Sequence, residues 1–456
     1  MKIVVAGCGK IGKTIIANLL KEKHEVVAMD SDPAVVAEVS NLYDVMAICG
    51  NGAEHDKLEK AEVNKADVFI AVTKSDELNM LACFAAKRMG AKHTIARIRN
   101  AGNNDDSLVF IKEQLELSYP INPEKRTARA IYNLLKLPSA NKVETFGNHG
   151  FEMLELTLKE GTPLDGLSLI EAKKKFKADF LVCAVGRGDD MTIPKGDFKL
   201  QVGDDIGLIV AEDDTTSVLK MLGVQHKHAR NIIILGGGRT SYYLTEILLK
   251  HRISVKIIEK EKARCEELAE YFPKADIVCG DGMSGDLLAE EGIAEAGAVI
   301  ALTGRDEENI LISFYARSQN VPKVVAKVNR VELAELAKDL GLDSIVSPQK
   351  TVADLVVRYT RALQMSLGTE MEKLYSLMDD RAEGLEFNVS PDFPFCDVPL
   401  KQLKFKSGAL LAGIIRGKDK IIPGGDDVIK GGDKVILIST GRSVYSLADV
   451  IEGEPA

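Results

Sequence analysis

The residues best placed to do chemistry are Gly7-Cys8-Gly9-Lys10-Ile11-Gly12, set between the apolar run Ile3 to Ala6 and a helical stretch, Lys13 to Glu22. Gly7 permits a tight turn out of a strand, and Gly9 lets the backbone approach a pyrophosphate whose charge the helix N-terminus stabilises. Gly12 allows close helix-sheet packing. Asp30 ends the next strand, about 20 residues further on. A carboxylate there accepts hydrogen bonds from ribose hydroxyls and repels a 2′-phosphate, so the spacing predicts a site for NAD(H), or another adenosine nucleotide, in preference to NADP(H). The alternative is a Rossmann fold whose loop serves structure alone.

The pattern returns as Gly236-Gly237-Gly238-Arg239-Thr240-Ser241, with Glu259 at the acidic ribose position and a small Ser241 in place of the helix-packing glycine. Lys10 and Arg239 hold the same place in the two loops. Each is either a cation beside the phosphates, which would favour ATP or ADP, or a solvated first-turn side chain. Thr73-Lys74 and Thr303-Gly304 follow apolar runs at the strand ends where open α/β sheets bind ligands. A threonine there can line the site, cap the next helix, whose dipole favours Asp76 and Glu77, or Asp306 and Glu307, or do both.

The elements that position these residues are themselves duplicated. A spacing of 229 residues relates Gly7 to Gly236, Gly9 to Gly238 and Asp30 to Glu259. Cys49-Gly50-Asn51-Gly52 returns as Cys279-Gly280-Asp281-Gly282, and Thr73, Asp76, Glu77 and Asn79 return as Thr303, Asp306, Glu307 and Asn309, now offset by 230. Strand runs (Val26 to Met29, Val68 to Val72, Thr94 to Ile98) alternate with helical stretches such as Glu77 to Arg88, which implies βαβ units and a parallel sheet. A helix opens near Pro123 and runs to Leu135, and Pro138 to Gly150 is polar and turn-rich. The segment Phe151 to Leu219 reads as a small α+β module with one helix near Leu169 to Phe176. Its second copy spans Gly384 to Leu447, after a helical, acidic linker around Gly368 to Asp380. The fold class is α/β: two tandem Rossmann-like parallel-sheet domains (1–140 and 227–367), each followed by a small α+β domain (141–226 and 368–456).

Composition excludes several function classes. The chain of 456 residues carries 59 Lys and Arg against 68 Asp and Glu, a net charge of −9, so nucleic acid is not an expected partner. The seven cysteines are odd in number and scattered through apolar segments such as Ala47 to Cys49 and Ile277 to Cys279, which reads as reduced, buried thiols of a cytosolic protein. No CxxC or HExxH occurs, so no metal site is expected. No apolar run reaches the roughly 20 residues of a membrane helix. His149, His226 and His228 read as loop histidines, Lys173 to Lys177 as a solvated helix face, and no nucleophile–base constellation implies catalysis.

With GCGKIG and Asp30, AVTKSDELNM, IARIRN, LGGGRTS, CGDG and Ser347-Pro348-Gln349 in this order, the chain resembles the TrkA family, peripheral subunits of Trk potassium-uptake systems with tandem RCK_N and RCK_C domains. The likeness covers essentially all residues. It implies a first nucleotide site at Gly7, Cys8, Gly9, Lys10, Ile11, Asp30, Thr73, Lys74 and Arg97. It implies a second at Gly236, Gly237, Gly238, Arg239, Thr240, Glu259, Asp281, Thr303, Gly304 and Lys327, with Ser241 as the departure from the glycine fingerprint. It further implies NAD(H), or ATP/ADP, as ligand, a homo-oligomeric ring, and a membrane-embedded potassium transporter as partner, gated from the cytoplasmic side without catalysis. Two rival readings are an NAD-dependent dehydrogenase and a cyclic-dinucleotide receptor acting through the small modules.

Overall fold

The computed structural model describes residues 1–99, 105–137, 140–147, 150–176, 179–188, 190–223, 229–342, 344–364, 369–378, 381–440, 444 and 446–452. The first lobe contains β1 (Lys2–Ala6), α1 (Lys10–Lys21), β2 (Glu25–Asp30), α2 (Pro33–Leu42), β3 (Met46–Cys49), α3 (His55–Lys60), β4 (Val68–Ala71), α4 (Asp76–Met89), β5 (His93–Arg97), α5 (Asp105–Gln114), β6 (Tyr119–Ile121) and α6 (Pro123–Lys136). Its parallel sheet has the order β3-β2-β1-β4-β5-β6, so strand order reverses between β1 and β4. The β-branched strands are buried on both faces, as a sheet covered by helices on either side requires.

A small module follows, with β7 (Lys142–Phe146), β8 (Phe151–Thr157), α7 (Leu169–Phe176), β9 (Phe180–Arg187), β10 (Asp190–Thr192), β11 (Asp205–Ala211) and α8 (Thr215–Met221). The second lobe repeats the first: β12 (Asn231–Leu235), α9 (Arg239–Lys250), β13 (Ser254–Glu259), α10 (Lys262–Tyr271), β14 (Asp276–Cys279), α11 (Gly285–Glu290), β15 (Ala298–Ala301), α12 (Asp306–Ser318), β16 (Val324–Lys327), α13 (Val331–Asp339), β17 (Ile345–Val346) and α14 (Pro348–Gln364), with sheet order β14-β13-β12-β15-β16-β17. The second module adds β18 (Thr369–Leu377), β19 (Ala382–Val389), β20 (Lys404–Phe405), β21 (Ala409–Arg416), β22 (Asp419–Ile421), β23 (Lys434–Ser439) and β24 (Ile451–Glu452).

The two halves interlock twice. The apolar stripe of α6 (Ala128, Ile131, Leu135) enters the core of the second lobe beside Leu244 and Leu248 of α9. In return α14 places Val352, Ala353 and Val356 against Ile15, Ile16 and Leu19 of α1. Each of the isoleucine, leucine and valine side chains among them, fully buried, is worth about 1.5–3 kcal/mol, so each lobe depends on a helix from the other. The antiparallel sheets of the two small modules share a second core, in which Phe146, Phe151 and Ile209 meet Tyr375, Leu377 and Ile436. Reciprocal bonds mark the pseudo-twofold: Gly147 N–H donates to Glu386 Oε2 at 2.9 Å, and Met378 N–H to Glu155 Oε1 at 2.7 Å.

Two segments differ from expectation. Residues within Gly368 to Asp380, expected as a helical linker, form β18, because pairing along β19 satisfies its backbone and overrides the helix propensity of Glu, Met, Lys and Leu. Within the polar stretch Pro138 to Gly150, β7 pairs β8 and buries Phe146. Gly368, Asp380, Pro138, His149, His226 and His228 lie outside the described residues. Lys173, Lys174 and Lys175 are exposed along α7. No helix among the described residues is long and apolar enough to cross a membrane.

Candidate functional site

Several helices begin at a side-chain cap, α2 at Asp32, α4 at Ser75, α6 at Asn122 and α11 at Ser284 among them, whereas α1 and α9 begin at Gly9 and Gly238 with no capping side chain. Their first-turn amides therefore remain available to an anion. Nothing stands within 4 Å of where a Cβ on Gly9 or Gly238 would project. Lys10 and Arg239 follow as exposed first-turn residues, Ile11 is half-buried, and Thr240 is buried.

Local backbone chemistry sets the loop beneath these amides. Gly7 has φ +97°, and a Cβ there would lie 2.7 Å from Thr73 N, so the ends of β1 and β4 close on one another at the point where strand order reverses. Asp30 Oδ2 accepts the Cys8 amide at 2.7 Å, and its Oδ1 accepts the Asp32 amide at 3.0 Å. Cys8 itself is buried, and burial pushes its thiol up to about 12. The carboxylate thus holds the glycine loop against β2 and retains acceptor capacity for a ribose hydroxyl.

The second lobe reproduces this clamp: Glu259 Oε2 accepts the Gly237 amide at 2.5 Å and Oε1 the Glu261 amide at 2.8 Å. Gly236 has φ +96°, with the end of β15 equally close. Ser241 is fully buried, and its hydroxyl donates to the Gly236 carbonyl. In the first lobe a Cβ on Gly12 would lie 1.9 Å from the Gly7 carbonyl oxygen. The second loop therefore stands further from its helix, and serine bridges the gap.

A buried asparagine fixes the facing strand end. Asn79 Oδ1 accepts the Thr73 hydroxyl and amide at 2.7 and 2.8 Å, and its Nδ2 donates to the Arg97 carbonyl at 2.9 Å. Asn309 does the same for the Thr303 amide at 2.8 Å and the Lys327 carbonyl at 2.8 Å. Of the two roles open to the threonines, capping is not taken up: Ser75 caps α4, α12 starts without a capping side chain, and Thr73 is committed to Asn79. Asp76 and Asp306, both buried, accept the amides of Arg99, and of Asn329 and Arg330, in the loops after β5 and β16. Lys74 and Gly304 are exposed.

The structure brings a cation to each site from the adjacent strand end. Arg97 is nine-tenths buried and donates to the Thr73 carbonyl, while Lys327 Nζ donates to the Leu302 carbonyl at 3.2 Å. Burial lowers both side chains from their ordinary values, and the carboxylate of Glu124, in the first turn of α6, opposes that shift at each. The two sites therefore meet across α6 and α9, where Asn122 Nδ2 donates to Tyr243 Oη at 3.0 Å and Tyr243 Oη to the Arg99 carbonyl at 2.9 Å. Asp281 lies further out, exposed and paired with Lys260 at 2.8 Å, whose hydrogen bond holds its carboxyl below the usual range. Asn79, Asn309, Glu124 and Tyr243 carried no site expectation, although the recurrence of Asn79 at Asn309 was visible.

The thiol expectation needs correction. Cys8, Cys83, Cys183 and Cys265 are buried, but Cys49 and Cys279 are exposed because they end β3 and β14 at the edge of the sheet. Among the described residues no cluster of three or more His, Cys, Asp or Glu could hold a metal ion. A cavity of about 340 Å³ lies at the opposite end of the second sheet, where its Lys256 already pairs with Glu291 and Asp276.

The TrkA-N domain description matches residues 3–109 and 232–348, and the TrkA-C domain description matches 153–223 and 385–451. Trk system potassium uptake protein TrkA homolog 1 of Methanosarcina mazei is 33% identical over 432 residues, covering 93% of this chain and 94% of that protein. The TrkA homolog of Archaeoglobus fulgidus is 32% identical over 423 residues, with 93% of each covered. Among solved structures, the GsuK channel bound to NAD shares the fold, with a TM-score of 0.63 at 18% identity, over 96% of this chain and 76% of that one.

Proposed function

The chain belongs to the TrkA family, with a TrkA-N and a TrkA-C domain in each half, and on that premise we propose that it is a nucleotide-sensing regulatory subunit of a membrane potassium transporter of the Trk type, acting from the cytoplasmic face. The observation that carries this reading is the doubled arrangement of uncapped helix N-terminus, acceptor carboxylate and strand-end cation, buried at Arg97 and half-buried at Lys327. NAD(H) fits it: pyrophosphate at the amides of Gly9 to Ile11 and Gly238 to Thr240, adenosine ribose on Asp30 or Glu259. Lys10 and Arg239 add charge that suits the phosphates of ATP or ADP. The NAD carried by the GsuK channel supports the ligand class, and the names of the curated relatives support the potassium-transport role.

Assembly into a ring is supported by exposed apolar side chains at matching places, Leu81 on α4 and Leu311 on α12, with Phe110 on α5, Val331 and Leu336 on α13, and Leu340 just past the end of α13. Ligand exchange then acts by population shift, and moving a ring from 1:99 to 99:1 needs about 5.5 kcal/mol of differential binding. The role is regulatory, with no chemical step assigned to the chain. Calorimetric titration of NADH, NAD, ATP and ADP into wild type and Asp30→Ala, paired with potassium uptake by cells expressing the chain with its transporter, tests the reading. Absence of nucleotide binding, or uptake indifferent to the chain, rejects it.

A further inference from the structure

The second lobe carries a pair of thiols that the first lacks. Cys279 is exposed at the tip of β14, where it pairs in register with Glu259. Cys265 on α10 is buried and donates its S–H to the carbonyl of that same Glu259 at 3.2 Å, so both thiols stand against one residue of β13, and the nearby Cys279 adds to the rise of the Cys265 thiol. In the first lobe Cys49 occupies the matching strand tip, equally exposed, but Val36 stands where Cys265 would be.

We propose that Cys265 and Cys279 form a reversible disulfide under peroxide, which locks α10 to the tip of β14 and so resets the glycine loop of the second lobe. The exposed Cys279 meets the oxidant first. Its thiolate attacks a peroxide oxygen, the O–O bond breaks, one water leaves and a sulfenic acid forms. The Cys265 thiolate then attacks that sulfur, the S–O bond breaks, and the departing hydroxide leaves as water with the proton from Cys265. Two thiols lose two electrons and one peroxide becomes two waters. Burial pushes the Cys265 thiol up to about 11, so the second step accelerates as pH rises.

The link to the loop is direct. Arg264, next to Cys265, donates from Nε to the Gly237 carbonyl at 2.7 Å, and Leu268 packs so closely on Gly237 that an added Cβ there would lie 2.6 Å from Leu268 Cδ1. Any shift of α10 needed to reach the 4.4–6.8 Å Cα separation of a disulfide is therefore felt at the amide that Glu259 clamps.

The test treats the full chain with hydrogen peroxide, blocks remaining thiols, and combines non-reducing peptide mapping with hydrogen exchange. A Cys265–Cys279 cross-linked peptide is expected, reversed by dithiothreitol, together with altered exchange over residues 236–241 and 262–271; Cys49 stays unpaired. Cys265→Ser keeps Cys279 oxidisable but abolishes both the cross-link and the exchange change. The proposal is overturned if Cys279 oxidises while Cys265 remains blockable, or if the cross-link forms without altering exchange at the glycine loop. An effect on ligand rests on the nucleotide reading above: NADH affinity at the second site should fall about tenfold on oxidation. If the reduced protein binds no nucleotide, that reading fails while mapping and exchange still decide the disulfide.

Discussion

The two lobes build the same crevice from differently shared volumes. In the first, Cys8 fills the space beside the loop and the facing helix contributes Val39, both buried in one cluster. In the second, Gly237 takes the place of Cys8 and the larger Leu268 fills the gap. Likewise Gly12 lets helix and loop touch, whereas Ser241 spans a wider separation with a hydrogen bond. What is retained is the sum of volumes and the clamp on the loop amide, through Asp30 or Glu259, and not the residue at each position.

The interlocking junctions differ as well. Where α14 meets α1, the fully buried Arg361 makes paired hydrogen bonds to Glu22 at 2.6 Å and to Glu383 at 2.8 and 3.0 Å, joining the first lobe to the second small module. Burial alone would lower this guanidinium, but the bonds to Glu22 and Glu383 outweigh it and hold it above its ordinary value. Where α6 meets α9, Tyr132 stacks on the exposed His251 at 4.7 Å between ring centroids, with Lys136 over the tyrosine ring.

The largest expected effect breaks the first junction: Arg361→Ala leaves two carboxylates partly buried and should cost about 3–5 kcal/mol in a denaturant titration. His251→Ala removes only one stacked ring and should cost no more than about 0.5–1.5 kcal/mol. Equal losses would show that the junctions are energetically alike after all.

Exchanging the loop residues sharpens the lobe comparison. Gly12→Ser forces a Cβ onto the Gly7 carbonyl and should cost about 1–3 kcal/mol, while Ser241→Gly, which only loosens a helix N-terminus, should cost about 0.5–1 kcal/mol. Thermal melts of both variants decide this, and a tolerant Gly12→Ser would mean that the first loop can adopt the spacing of the second.

Asp30→Ala and Glu259→Ala address ligand. Each removes a charged acceptor worth about 1.5–3 kcal/mol, so calorimetry should show affinity at the corresponding site falling roughly 10- to 100-fold. If only one variant weakens binding, the clamp in the other lobe is structural.

The smallest effect concerns pH. His24 is buried with neither ring nitrogen bonded among the described residues, and Ile253 takes its place in the second lobe. Burial lowers the imidazole below its ordinary 6.5. The unfolded chain therefore takes up a proton that the native protein resists, and stability should fall as pH drops through 6.5. His24→Ile should flatten that limb of a melting-temperature profile, and an unchanged slope would assign the acid sensitivity elsewhere.

The duplication, the βαβ order, the glycine loops with Asp30 and Glu259, and helices such as Leu169 to Phe176 were legible because each is written in local spacing that the backbone must obey. Four features were not. The strand β18 reads as helix by composition until β19 supplies its hydrogen bonds. For Thr73 and Thr303 the sequence leaves site lining and helix capping both open until Asn79 and Asn309 reach back to them. Cys49 and Cys279 read as core until the sheet edge exposes them. Above all, the apolar stripes of α6 and α14 announce burial without saying against what. A stripe fixes only that a face must leave water; which surface receives it depends on shape and on partners more than a hundred residues away, and here each lobe receives the helix of the other.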